Sequence, residues 1–115
     1  MSSIPIMPRR NTGTIGADGT AIVSFGPVPI GTTWELDRIS VQASSGGVTV
    51  GSEARIYGGG RLIAGTYSGG LDTAESGGRP SYVNAGELVE VLFSRSTAGA
   101  RVEVSIEGRQ VRERA

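Results

Sequence analysis

Two carboxylates three residues apart, Asp72 and Glu75, sit in a glycine-rich polar stretch and are the first candidates for chemistry. A carboxylate pair can hydrolyse a glycosidic bond when one partner is held protonated by an apolar wall. It can also help hold calcium, which needs six to eight oxygens. Here nothing fixes their separation, no apolar wall is evident to raise one pKa, and the Asp-x-Asp-x-Asp spacing of a calcium loop is absent. The pair reads as solvated loop charge. No cofactor is expected.

The remaining inventory is poor in reactive groups. The chain has no histidine, no cysteine and no lysine. Histidine is the usual general base, cysteine the strongest neutral-pH nucleophile, and lysine the Schiff-base residue. Serines are frequent, but no ordinary base is present to activate one. Gly58-Gly59-Gly60 has the composition of a phosphate cradle, yet no lysine follows and no helix is expected after it, so it reads as a tight turn. The sequence therefore predicts a protein that is not an enzyme and that holds a shape.

Four aromatics could stack on sugars: Trp34, Tyr57, Tyr67 and Tyr82. At strand positions such residues more often pack, and Trp34 is expected in the core. All eleven basic residues are arginines, balanced by eleven acidic ones. Codon use in a GC-rich genome accounts for that bias, and arginine also suits planar pairing at interfaces. With zero formal net charge there is no global field to draw in nucleic acid, and no specific nucleic-acid partner is expected. No apolar run reaches the roughly 20 residues that span a bilayer, so no membrane partner is expected either. The first ten residues lack the pattern of a signal peptide.

The elements that must position these residues read as strands. Val102, Val104 and Ile106 alternate with Arg101, Glu103, Ser105 and Glu107, marking a half-exposed strand. Leu88 to Phe93 is nearly continuous apolar sequence broken by Glu90, which suits a central strand. Thr32 to Ala43 is the longest candidate. Its apolar phase changes between Leu36 and Ile39; a bulge near Asp37-Arg38 would return both halves to one face, and apolar contacts on both faces are the rival reading. Thr12 to Ile15 and Thr20 to Phe25 read as a hairpin about Asp18-Gly19. Ser68 to Arg79 reads as a long polar loop.

With no helical periodicity, the chain is expected to be all-β. About eight antiparallel strands with turns every 8–12 residues point to one β-sandwich, most simply a jelly roll, with an immunoglobulin-like topology as the alternative. Residues 12–108 would form that domain, and 109–115 a charged tail. Residues 1–11 would be an extended N-terminal arm, because Ile4-Pro5-Ile6-Met7-Pro8 cannot be helical. Ile4, Ile6, Met7, Arg9 and Arg10 are the candidate interface residues. They would dock on a neighbouring subunit, and deleting residues 2–10 would leave the domain folded but weaken association.

Thr33-Trp34-Glu35-Leu36-Asp37-Arg38-Ile39-Ser40-Val41 resembles the TWxLxRIxV strand of small β-sandwich proteins encoded among tailed-phage structural genes. The likeness continues through Arg55-Ile56-Tyr57, Leu62 to Gly69, Asp72-Thr73-Ala74 and Gly86-Glu87-Leu88, and covers roughly Thr32 to Gly108. It implies a virion accessory protein of phages infecting GC-rich bacteria, with no catalytic residues to carry over. The short arm and small size favour a capsid-decorating role over a tail or head-fibre component. The implied partners are further copies of the chain, most simply as trimers, and the major capsid protein or other virion proteins. The implied location is the capsid surface, after assembly in the host cytoplasm. A carbohydrate-binding module for host recognition is the alternative from a different class.

Overall fold

The structure is a computed structural model that describes the backbone of residues 3–68, 71–75 and 81–112, and the side chains of residues 10–48, 50–63 and 81–112. In chain order the strands are β1 (Ser3–Thr14), β2 (Ala21–Phe25), β3 (Thr32–Ser45), β4 (Val48–Thr49) and β5 (Ser52–Gly58). They continue as β6 (Arg61–Ser68), β7 (Leu71–Glu75), β8 (Ser81–Asn84), β9 (Val89–Ser94) and β10 (Arg101–Arg112). All pairings are antiparallel. No helix occurs among the described residues.

Two sheets face each other. One has the order β1-β10-β3, with β8, β7 and β4 lying end to end along the far side of β3; the other has the order β2-β9-β5-β6. Taking β7 and β8 as one interrupted strand, and β4 as a two-residue extension, leaves eight positions. In chain order these run first, eighth, third, sixth in one sheet and second, seventh, fourth, fifth in the other. That winding is a jelly roll and excludes the immunoglobulin-like alternative.

The core lies between the sheets and follows the period-two alternation. Val89, Val91 and Phe93 of β9 face Val102, Val104 and Ile106 of β10, with Trp34, Leu36, Ile39, Val41 and Ala43 of β3 beside them; all are buried. β9 is central in its sheet, as its apolar run predicts. Trp34 is fully buried, and its indole N–H donates to Gln110 Oε1 at 3.0 Å.

The phase change in β3 is a bulge. Glu107 of β10 pairs with Arg38 and Gly108 pairs with Leu36, so Asp37 is the extra, exposed residue. On the other side of β10 the register with β1 slips at the same level, where Met7 and Pro8 oppose Glu107 alone. Two bulges therefore align across three strands and bend the sheet there. Gly108 belongs to this corner. A Cβ on it would run into the Glu35 carbonyl oxygen and lie 2.9 Å from the Glu35 carbonyl carbon.

Three expectations are corrected. Asp18-Gly19 is a tight turn, with the Gly16 N–H donating to the Thr20 carbonyl at 2.9 Å, but it does not close a hairpin. β1 pairs with β10 and β2 with β9, so the chain crosses there from one sheet to the other. Buried Ile15 and Val23 face one core from opposite layers, an arrangement that alternation alone cannot tell from a hairpin. The Ser68 to Arg79 stretch contains β7, paired with Arg38–Gln42 of β3. Finally, no break separates arm, domain and tail among the described residues. β1 runs unbroken from Ser3 to Thr14 beside β10, which itself runs to Arg112.

Candidate interface

The five candidate interface residues lie on β1, an edge strand of the larger sheet. Register sets Ile4 opposite Gln110, Ile6 opposite Gly108, Arg9 opposite Ile106 and Arg10 opposite Ser105, with Met7 in the bulge. The side chains of Ile4, Ile6, Met7 and Arg9 lie outside the described residues. Arg10 is exposed, and its Nε lies 2.9 Å from Glu103 Oε1 in an ion pair. An ion pair this exposed adds at most about 1 kcal/mol and is screened by salt.

The segment is extended, as its prolines require, but its partner is β10 of the same chain. Apolar residues this close to the N-terminus belong to the first strand of the jelly roll. Deleting residues 2–10 would take the β1 partner away from Ser105–Val111 of β10 and leave that stretch held by β3 alone, so their loss is expected to destabilise the domain. The open edge is also blunted. Pro5 and Pro8 have no N–H to offer a further strand. The Thr12 N–H is taken by Asn11 Oδ1 at 3.0 Å, while Asn11 Nδ2 donates to the Ser24 carbonyl of β2 at 2.9 Å. One amide side chain thereby occupies a main-chain group on each of two edge strands, one in each sheet. A neighbour meeting this edge finds side chains there rather than a free ladder.

Among the described residues the other candidates are not brought together. Asp72 and Glu75 stand on β7 opposite Val41 and Arg38, and their side chains lie outside the described residues. Tyr57 is half-buried on the outer face of the β2-β9-β5-β6 sheet, whereas Tyr82 is exposed on the other sheet, so these two share no platform. The Tyr67 side chain lies outside the described residues. Gly59 and Gly60 make a two-residue turn between β5 and β6, both with positive φ (59° and 80°), as the glycine run predicts. Glu87 braces this turn. Its Oε1 accepts from the Asn84 N–H at 2.7 Å and from Arg61 Nη2 at 3.3 Å.

Among the described residues one titratable group, Asp18, has a clearly shifted affinity for its proton. Asp18 is held below the usual carboxylate range by the Thr20 hydroxyl first and the Thr20 N–H second, at 2.8 and 3.1 Å. It is solvent-exposed and caps the turn that carries the chain between sheets.

Sequence reasoning missed a trough on the outer face of the larger sheet. Ser40, Val41 and Gln42 of β3, Glu103 and Ser105 of β10, and Arg10 of β1 enclose about 320 Å³. Register explains its shape. Arg10, Ser105 and Ser40 form one cross-strand row, and Thr12, Glu103 and Gln42 the next. Two short serines lie side by side at mid-sheet, and the longer arginine, glutamate and glutamine stand around them. The alternation of β10 marks Glu103 and Ser105 as outward. Only the register sets them beside Ser40 and Gln42.

No protein-family profile matches the chain, and no curated protein sequence matches it.

Proposed function

We propose that the chain is a non-enzymatic structural protein of a tailed-phage virion that decorates and stabilises the capsid surface. The observation that carries this reading is the role of the motif strand. The residues that resemble phage accessory proteins, Thr33 to Val41, fall on β3, which pairs with β10, β8, β7 and β4 and is the spine of the larger sheet. The resemblance and the jelly-roll winding thus concern the same residues, and jelly rolls are common in viral shells and in lectins. Fold alone does not assign function; the motif favours the shell.

On this reading the partners are other copies, as trimers, and the major capsid protein, and the contact includes the outer flank of β1. Shells repeat identical sites, so weak contacts per copy add up. Cosedimentation with purified capsids, together with solution mass, tests the proposal. Capsids should retain the protein at a saturating stoichiometry, and the free protein should have the mass of a trimer. Met7→Asp, a change at the β1 bulge, should weaken retention while the melting temperature stays near that of the parent. Retention on tails but not heads would move the protein to a tail or head-fibre role. Retention on neither would overturn the proposal.

A further inference from the structure

We infer that the trough formed by Arg10, Ser40, Gln42, Glu103 and Ser105 is a binding site for a neutral saccharide. Its volume is at the small end of ligand clefts, which span roughly 300–1,000 Å³. Its chemistry is mixed and balanced. The serine hydroxyls both donate and accept, the Gln42 amide does the same from two different atoms, Arg10 only donates and Glu103 only accepts. Sugar hydroxyls need this combination, because each is donor and acceptor at once. Among the described lining residues one cation and one anion stand 2.9 Å apart and paired, so their charges balance and do not select an ionic ligand. The pair uses Arg10 Nε and one Glu103 oxygen, which leaves the Arg10 Nη donors and the other Glu103 oxygen for a ligand.

The floor is rigid. Ser40 and Ser105 are register partners on β3 and β10, the two central strands of the larger sheet, and Val41 beneath them is fully buried. Polar groups on such strands are ordered before a ligand arrives, which lowers the cost of binding. None of the described lining residues is aromatic, so none of them offers ring stacking. Affinity should therefore be weak, with a Kd in the millimolar range. Many copies on one surface would raise it through multivalency. The inference stands on the trough alone and does not need the shell reading.

The test is a titration of the isotopically labelled full chain with maltotriose, cellotriose and tri-N-acetylchitotriose, followed by amide NMR shifts. Saturable shifts confined to Ser40, Gln42, Glu103, Ser105 and their neighbours are expected with at least one sugar. Ser105→Ile fills the trough with a residue that strands favour, and Gln42→Ala removes one donor–acceptor pair. Both should abolish the shifts or weaken binding by about fivefold or more, in keeping with the loss of one net hydrogen bond, while the melting temperature stays near that of the parent. Should either variant unfold, Ser40→Thr narrows the same floor more gently and should weaken the shifts as well. Absence of saturable shifts with all three sugars overturns the inference. So do shifts centred on the Tyr57 face, or binding that persists in the filled variant. A response only to an anionic sugar, galacturonic acid as the probe, would also overturn it, because the site would then be reading charge.

Discussion

Gly108→Ala tests the bulged corner most directly. Gly108 does not have positive φ, so its requirement for glycine is one of space. A Cβ there would overlap the Glu35 carbonyl oxygen, 2.9 Å from the Glu35 carbonyl carbon and 3.0 Å from Leu36 Cα. All three obstacles are main chain of β3, which is tied to β10 on one side and β8 on the other. A flexible side chain could swing away from the new methyl; a paired strand must separate from its neighbour. Overpacking of this kind costs typically about 1–3 kcal/mol, and the rigid obstacle puts it at the upper end. Alanine also stiffens the unfolded chain, which offsets about 0.4–1 kcal/mol. The net expectation is a loss of about 2 kcal/mol, or a melting point lower by roughly 8 °C in a domain of 115 residues. Thermal unfolding followed by far-UV circular dichroism, in the band of the strand signal, is the assay. Gly13→Ala is the control, since its Cβ meets only the Val23 and Val102 methyls at 3.3 and 3.4 Å. A Gly108→Ala protein that melts with the parent would refute the reasoning, because it would mean the two strands are not held this close at the bulge.

Four further outcomes follow from the same geometry. Trp34→Ala should cost about 3–5 kcal/mol and leave Gln110 Oε1 without its donor, so chemical denaturation should show a protein near the limit of folding. Glu87→Ala should lower the denaturant midpoint by an amount equivalent to about 1–2 kcal/mol, since the Asn84 N–H and Arg61 both lose their acceptor. Asn11→Ala should free main-chain groups on β1 and β2, and light scattering should show more self-association at high concentration than for the parent. Because the folded-state pKa of Asp18 is depressed, its stabilising contribution is full above the ordinary carboxylate range and is lost as pH falls through the folded value; Asp18→Asn should flatten the acid side of a melting-temperature profile and leave the neutral side parallel.

The residues themselves determined the fold class. Alternation at Val102, Val104 and Ile106, the apolar run at Leu88 to Phe93, and the glycine turns are local signals, and local signals survive into the sheets because one face of each strand is buried. The bulge at Asp37 was legible for the same reason: a period-two pattern that slips by one residue has few ways to keep both halves in one core. What the sequence could not decide was which strand pairs with which. Thr12 to Phe25 has the composition of a hairpin, yet its halves belong to different sheets, because each half takes a partner from the far end of the chain, β10 for one and β9 for the other. Ile4 to Pro8 reads as an arm by composition and becomes a strand only because β10 extends to Arg112 to receive it. For the trough, the sequence marked only Glu103 and Ser105 as outward, through the alternation of β10. Its residues come from three strands and are neighbours only across the ladder, where long-range register, not local preference, sets short side chains beside long ones.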